Sequence, residues 1–306
     1  MIYNWNIIGH ERQLEMLESD IKSDNLSHAY LLVGPSHVGK YTVAKKLAYI
    51  LQCPNNYCGA CPTCTQIRKK SHIDTMEFTN NRESIKIEQV REIVSRAQMS
   101  TQSRYKVVLL QAIGRMTPEA ANCLLKTLEE PTEKTVFIMT ASHVREILPT
   151  IVSRSRVMRF HSFSTEFLEK TLVEKFPESD AETVGDVARL ALGKSGRAFD
   201  LMDQPEELAY HLKLYRDVQS ILKIEDVVEK FRYADELAED EKKRRNFLNT
   251  MMHVLRGQLL EGGAAGGGSV DRERVIRLIS DVENAKSSLK QNVNSKLVLE
   301  NLLLTT

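Results

Sequence analysis

A five-residue apolar run, Ala29-Tyr-Leu-Leu-Val33, ends at Gly34-Pro-Ser-His-Val-Gly-Lys40, and a helical pattern starts at Tyr41. A run that is apolar at every position reads as a strand buried on both faces, the kind found inside a parallel sheet. The turn that follows has glycines where backbone N–H groups can wrap phosphate oxygens at a helix N-terminus, and a lysine to add a point charge. A glycine turn before a helix is the plain alternative. The buried strand before it and the helix after it favour a phosphate-binding loop of the Walker A kind, with Gly34, Gly39 and Lys40 as its nucleotide-contacting residues.

The pattern around this loop is strand and helix in alternation. Ile7–Lys22 reads as a helix with Leu14, Leu17 and Ile21 on one face, and Tyr41–Leu51 as a second. Strands are expected at 76–78, 106–110, 135–139 and 157–160. An amphipathic helix is expected at 83–99, and another opens at Thr117-Pro118 and stops before Pro131. Strands separated by helices imply a three-layer α/β domain with a parallel sheet. Beyond Phe160 the strand signal is gone. Short helices with a Gly193–Gly196 turn are expected over 164–205, and helix from 207 to the end. Gly262–Ser269 is low-complexity and reads as an inter-helix loop, since no strand precedes it and no lysine follows.

Two parts of a working ATPase are missing. The residue after the P-loop lysine should be Ser or Thr, whose hydroxyl ligates Mg²⁺. Tyr41 stands there, and a phenol cannot place its oxygen where a β-carbon hydroxyl would be. Thr42 has the right group but lies about 100° further round the helix. After the strand at 106–110, the places of a Mg²⁺-binding Asp and a water-activating Glu are taken by Gln111 and Ala112. Loss of a general base alone costs on the order of 10²–10⁴ in rate. No Mg²⁺ site and no self-contained hydrolysis are expected. Binding of ATP or ADP is left open, because Gly34, Gly39 and Lys40 persist.

Cys53, Cys58, Cys61 and Cys64 form a second constellation. Four thiolates this close in sequence can surround one tetrahedral Zn²⁺, leaving no open position, which makes the expected site structural. An iron–sulfur cluster uses similar ligands but comes with no redox motif here, so zinc is the preferred metal. Cys123 falls on the apolar side of its helix and reads as a small core residue. The start of the chain has no signal-peptide pattern and no stretch approaches a membrane span, which gives a cytoplasmic expectation and no membrane partner. Lys+Arg 42 against Asp+Glu 41 gives no bulk basic field for nucleic acid.

Beyond these, Ser27–Pro35, the four-Cys insert, Ile85–Arg91, Tyr105-Lys-Val-Val, Glu119–Pro131 and Leu148–Ser155 resemble, in order, the AAA+ subunits of the bacterial DNA polymerase III clamp loader. The likeness returns at Gly193–Ala198 and at Asn292–Leu303. Within that family, lost Walker residues with kept zinc ligands resemble the delta-prime branch rather than the gamma/tau motor. The resemblance implies a RecA-like AAA+ domain over 1–162 with a zinc insert at 53–64, a helical lid over 163–206 and a helical collar over 207–306. It implies a non-hydrolysing stator of the polymerase III holoenzyme, working in DNA replication. The expected partners are the gamma/tau and delta subunits, the sliding clamp and primer-template DNA. It carries over Arg154, in Ser153-Arg154-Ser155, as an arginine finger acting in trans on a neighbour's ATP, with Arg156 as competitor, and Arg197 as the sensor-2 arginine of the nucleotide site. The family's Cys in that segment is Ser155 here. Val298, Leu302 and Leu303 are candidates for collar packing or for that domain's own core. Two rivals remain: a gamma/tau-type ATPase with an unusual Mg²⁺ site, and a zinc-stabilised nucleic-acid-binding module, against which the neutral charge speaks.

Overall fold

The computed structural model describes residues 3–79, 84–261, 272–291 and 293–306. The glycine-rich segment at 262–269 and Asn292 lie outside the described residues. The chain groups into two compact units, 1–184 with 193–199, and 185–192 with 200–306.

In the first unit the elements run α1 (Glu11–Lys22), β1 (Ala29–Val33), α2 (Lys40–Gln52), α3 (Pro62–Arg68), β2 (Thr75–Phe78), α4 (Ile87–Gln98), β3 (Lys106–Leu110), α5 (Pro118–Glu129), β4 (Thr135–Ala141), α6 (Pro149–Ser153), β5 (Arg156–Arg159) and α7 (Thr165–Lys175). Five strands pair in the order β2-β3-β4-β1-β5, all parallel. Every residue of β1, β3 and β4 is buried, including Lys106, Thr135 and Thr140 among their otherwise apolar runs. Alternation then splits each strand between two cores. Leu31 and Val33 pack with Val90, Ile93, Leu124 and Phe137 on one side of the sheet. Tyr30 and Leu32 pack with Leu14, Leu47, Ile138 and Phe160 on the other. Burying both faces produces the three-layer α/β architecture expected of a RecA-like AAA+ domain.

Two helix starts differ from the sequence expectation. α1 begins at Glu11 rather than Ile7, because Gly9 and His10 both have positive φ (63° and 62°), which a right-handed helix excludes. α4 begins at Ile87, with 84–86 outside the helix, while the expected start at residue 83 lies outside the described residues. Ile85 instead forms a parallel bridge with Met116, with Ile85 N–H donating to the Arg115 carbonyl (2.9 Å) and Thr117 N–H to the Ile85 carbonyl (3.1 Å). Periodicity alone does not see this, since Ile85 and Ile87 are both apolar and both buried or nearly so.

Two further helices, α8 (Ala181–Ala191) and α9 (Ser195–Asp203), each begin among residues of the first unit and end among residues of the second. The remainder of the second unit is helical among the described residues: α10 (Pro205–Ile221), α11 (Val227–Glu239), α12 (Glu241–Glu261), α13 (Arg272–Lys290) and α14 (Ser295–Leu304). Leu214, Val218, Phe247, Met251, Leu255, Val282 and Leu299 form its core. Leu302 and Leu303 lie in this core and Val298 packs against it, so these three serve the unit's own packing rather than offering a free surface. No described helix is long and apolar enough to cross a membrane.

Candidate nucleotide loop, cysteine centre and displayed arginine

The carboxyl ends of β1, β3 and β4 gather three chain segments, where ligand sites of parallel sheets form. The first is the phosphate loop. Gly34 is required by contact, since a Cβ there would lie 2.2 Å from the Phe160 carbonyl oxygen. Gly39 is required by conformation: it caps α2 at φ 92°, which a side chain rarely adopts. Lys40 is 8% exposed, and its ammonium donates to the carbonyls of Gly34 and Pro35, both at 2.5 Å. Burial pushes its pKa down to about 8, with Lys194 acting in the same direction and Glu146 against it. Gly196 N–H donates to the His37 carbonyl (2.8 Å), which brings residues 193–199 onto the loop. Arg197 lies half-buried on α9, and its charge helps depress the neighbouring Lys194, a group lowered chiefly by burial.

Tyr41 points elsewhere. Its hydroxyl donates to Glu77 Oε1 on β2 at 2.5 Å. Glu77 is 7% exposed in its side chain and also receives Lys45 (3.1 Å) and Lys70 (3.3 Å). Burial alone would raise the Glu77 carboxyl, but Tyr41 and the two ammoniums hold it below the usual range. Burial, then Glu77, pushes the Tyr41 phenol up, so it stays protonated and donates. The phenol is therefore a strut between α2 and the edge strand β2.

The second segment follows β3. Gln111 N–H donates to the Phe78 carbonyl (3.1 Å), continuing the ladder, and Ala112 takes a left-handed conformation (φ 55°, ψ 51°). Its N–H donates to Thr140 Oγ1 at 3.0 Å, and Thr140 is buried at the end of β4. This is a residue to which the sequence assigned no role. The two side chains directly after β3, where Walker B carboxylates were expected, are an amide and a methyl.

The four cysteines come together at the far end of α2. Cys53 is the C-cap of α2, and Cys61 caps α3, its sulfur accepting from Cys64 N–H. All four sulfurs lie within 4.8 Å of one another, with Cys53 Sγ 3.8 Å from Cys58 Sγ and 3.7 Å from Cys61 Sγ. A tetrahedron of Zn–S bonds near 2.3 Å has edges of about 3.8 Å, so the spacing fits a tetrathiolate metal centre. Backbone N–H groups of Ala60 and Cys61 bring the exposed Cys58 thiol down to about 6, while burial pushes Cys64 up to about 12. Cys123 is half-buried on α5, away from this group, and packs against the sheet core.

The third segment is α6 and the residues after it. Arg154 is the C-cap of α6 and Arg156 opens β5. Arg156 Nη1 is 2.8 Å from Asp20 Oδ1, whose side chain is 7% exposed and also accepts from the Tyr30 hydroxyl (2.8 Å). Arg154 Nη2 is 2.7 Å from Glu129 Oε1, and that carboxylate is 46% exposed. One arginine is locked into the fold, while the other is held on its surface.

Residues 9–164 match the family described as DNA polymerase III, delta subunit. The chain is similar to DNA polymerase III subunit gamma of Buchnera aphidicola subsp. Acyrthosiphon pisum, at 29% identity over 82% of this chain and 72% of that protein. It is similar to DNA polymerase III subunit delta' of Pseudomonas aeruginosa, at 33% identity over 55% of this chain and 53% of that one. With DNA polymerase III subunit tau of Escherichia coli the identity is 29% over 65% of this chain, which spans about a third of tau, 32%.

Proposed function

The chain belongs to the DNA polymerase III, delta subunit, family of clamp-loader proteins, and from that membership we propose that it is a non-hydrolysing subunit of the delta-prime kind. On this reading it is a stator in an assembly with gamma/tau and delta subunits, which together place a sliding clamp on primed DNA. Residues 1–162 are its AAA+ domain, 163–206 a lid and 207–306 a collar through which subunits associate. The zinc centre at Cys53, Cys58, Cys61 and Cys64 is structural.

The observation that carries this reading is the commitment of Tyr41 to Glu77. The position that should hold Mg²⁺ is spent on holding α2 to β2, and the two residues directly after β3, Gln111 and Ala112, carry no carboxylate. Gly34, Gly39, Lys40 and Arg197 are then remnants of a nucleotide site, able to meet phosphate without turning it over. Arg154 supplies what this chain can still contribute to hydrolysis, a guanidinium for the transition-state charge on a neighbouring subunit's ATP. Such a residue is worth ~10³–10⁵ in rate. The engagement of Arg156 with buried Asp20 supports Arg154 over Arg156 for that role.

The similarity to gamma and tau favours a second reading, in which the chain is itself an ATPase. One measurement separates them. Purified chain with ATP and Mg²⁺ is expected to show no turnover above background, whereas the complex reconstituted with gamma/tau hydrolyses ATP and loses at least about a hundredfold in kcat on Arg154→Ala. Turnover by the isolated chain that disappears in Lys40→Ala would establish the second reading instead.

A further inference from the structure

Glu129 and Arg154 are 25 residues apart in number but meet where two helices end. α5 stops at Glu129 because Pro131 cannot continue it. α6 is only five residues long, and Arg154 caps it at φ −100°, ψ 4°. Last-turn carbonyls of a helix have no partners within it. Arg154 uses one of them, donating from Nη1 to the Thr150 carbonyl at 3.0 Å, with Ser153 Oγ at 3.4 Å. From Nη2 it meets Glu129 at 2.7 Å. The guanidinium is thereby fixed at both of its terminal nitrogens. Of five N–H donors on an arginine, these contacts leave at least two, and the side chain is 36% exposed.

We propose that Glu129 is a positioning residue for Arg154: the carboxylate holds the guanidinium in place at the subunit surface, ready to donate its remaining N–H groups to the phosphoryl group of a neighbour. This rests on the reading of Arg154 as a finger acting in trans. An arginine side chain carries about 2 kcal/mol of rotamer entropy, and an unrestrained one loses it at each encounter with the transition state. Holding the fork in advance removes part of that loss. The ion pair has little other use, because surface bridges of this exposure contribute between nothing and about 1 kcal/mol to stability. Glu130, the next residue, is exposed, and the carboxylate that meets Arg154 is Glu129, so Glu130 is a control with the same change of charge.

The experiment is steady-state ATPase of the complex reconstituted with gamma/tau subunits. Glu129→Ala is expected to lower kcat roughly three- to tenfold with KM for ATP unchanged, since KM belongs to the neighbour's own P-loop. Glu129→Gln, which keeps a hydrogen-bond acceptor, should fall less, and Glu130→Ala should match wild type. In an Arg154→Ala background, Glu129→Ala should have no further effect, an outcome that a merely structural role would not give. Unchanged or raised turnover in Glu129→Ala beside a large loss in Arg154→Ala overturns the positioning role and leaves the finger reading intact. An equal loss from Glu129→Ala with and without Arg154 overturns it too. If Arg154→Ala itself changes nothing, both readings fall.

Discussion

Arg154 and Arg156 sit two residues apart, each with a carboxylate partner at hydrogen-bonding distance and each 36% exposed in its side chain. Their partners make the difference. Asp20 is buried and shared with Tyr30, so removing Arg156 leaves a desolvated carboxylate with one neutral donor. Arg156→Ala is expected to destabilise the chain by about 1–3 kcal/mol, read as a lowered urea midpoint at constant slope. Arg154→Ala should cost less than about 1 kcal/mol while abolishing its contribution to the complex. A larger stability loss from Arg154→Ala than from Arg156→Ala would contradict the assignment. Tyr41 teaches a related lesson. Its identity places a phenol where a Walker A hydroxyl is expected, but only its contact with Glu77 says what the side chain does there.

At the scale of elements, the cysteine insert and the phosphate loop are the two ends of one helix. α2 begins at Lys40 beside Gly39 and ends at Gln52, with Cys53 as its C-cap. Lys70, just past α3, reaches Glu77, the same carboxylate that receives Tyr41. A metal held by the four thiolates therefore staples the C-terminal end of α2 to α3, a folding contribution that the loop's own short elements do not supply. Elemental analysis is expected to find one zinc per chain. Chelation should lower the melting temperature by at least about 4 °C for a unit of this size. Cys58→Ser should lose the metal, and Cys123→Ser should keep it. Iron in place of zinc, or full metal content in Cys58→Ser, would refute the assignment of this centre.

For the molecule as a whole, the prediction concerns assembly. The chain mixed with a gamma/tau-type subunit is expected to run as one complex in size-exclusion chromatography, and Arg154→Ala should join it as wild type does, since the proposed role of Arg154 is in chemistry rather than in association. A chain that stays apart from gamma/tau at micromolar concentration would remove the basis for the stator reading. No apolar surface can be assigned to that association from α14's inward stripe, because Leu299, Leu302 and Leu303 are already consumed by the core of the second unit.

The sequence alone carried the alternation of strands and helices and the identity of the residues at the Walker positions, while the short helices α3 and α6 were not legible in it. The apolar runs at 29–33 and 107–110 read as strands of a sheet covered on both faces, and they are the buried strands β1 and β3. The four-cysteine spacing is local, so the metal-ligand set was legible without a fold. The absence of carboxylates at Gln111 and Ala112 needed no coordinates either. What the tertiary structure alone decided is everything set by partners distant in sequence. Thr140 meets Ala112 across 28 positions, Glu77 meets Tyr41 across 36, and Asp20 meets Arg156 across 136. Hydrogen bonds and ion pairs select a side chain by proximity and burial, and neither is carried by spacing along the chain. The start of α4 at Ile87 has the same origin, a bridge from Ile85 to Met116 that overrides local helical periodicity. The P-loop frame was therefore readable from one segment. Its conversion into a strut on one side, and the display of one arginine on the other, came from contacts that only folding makes.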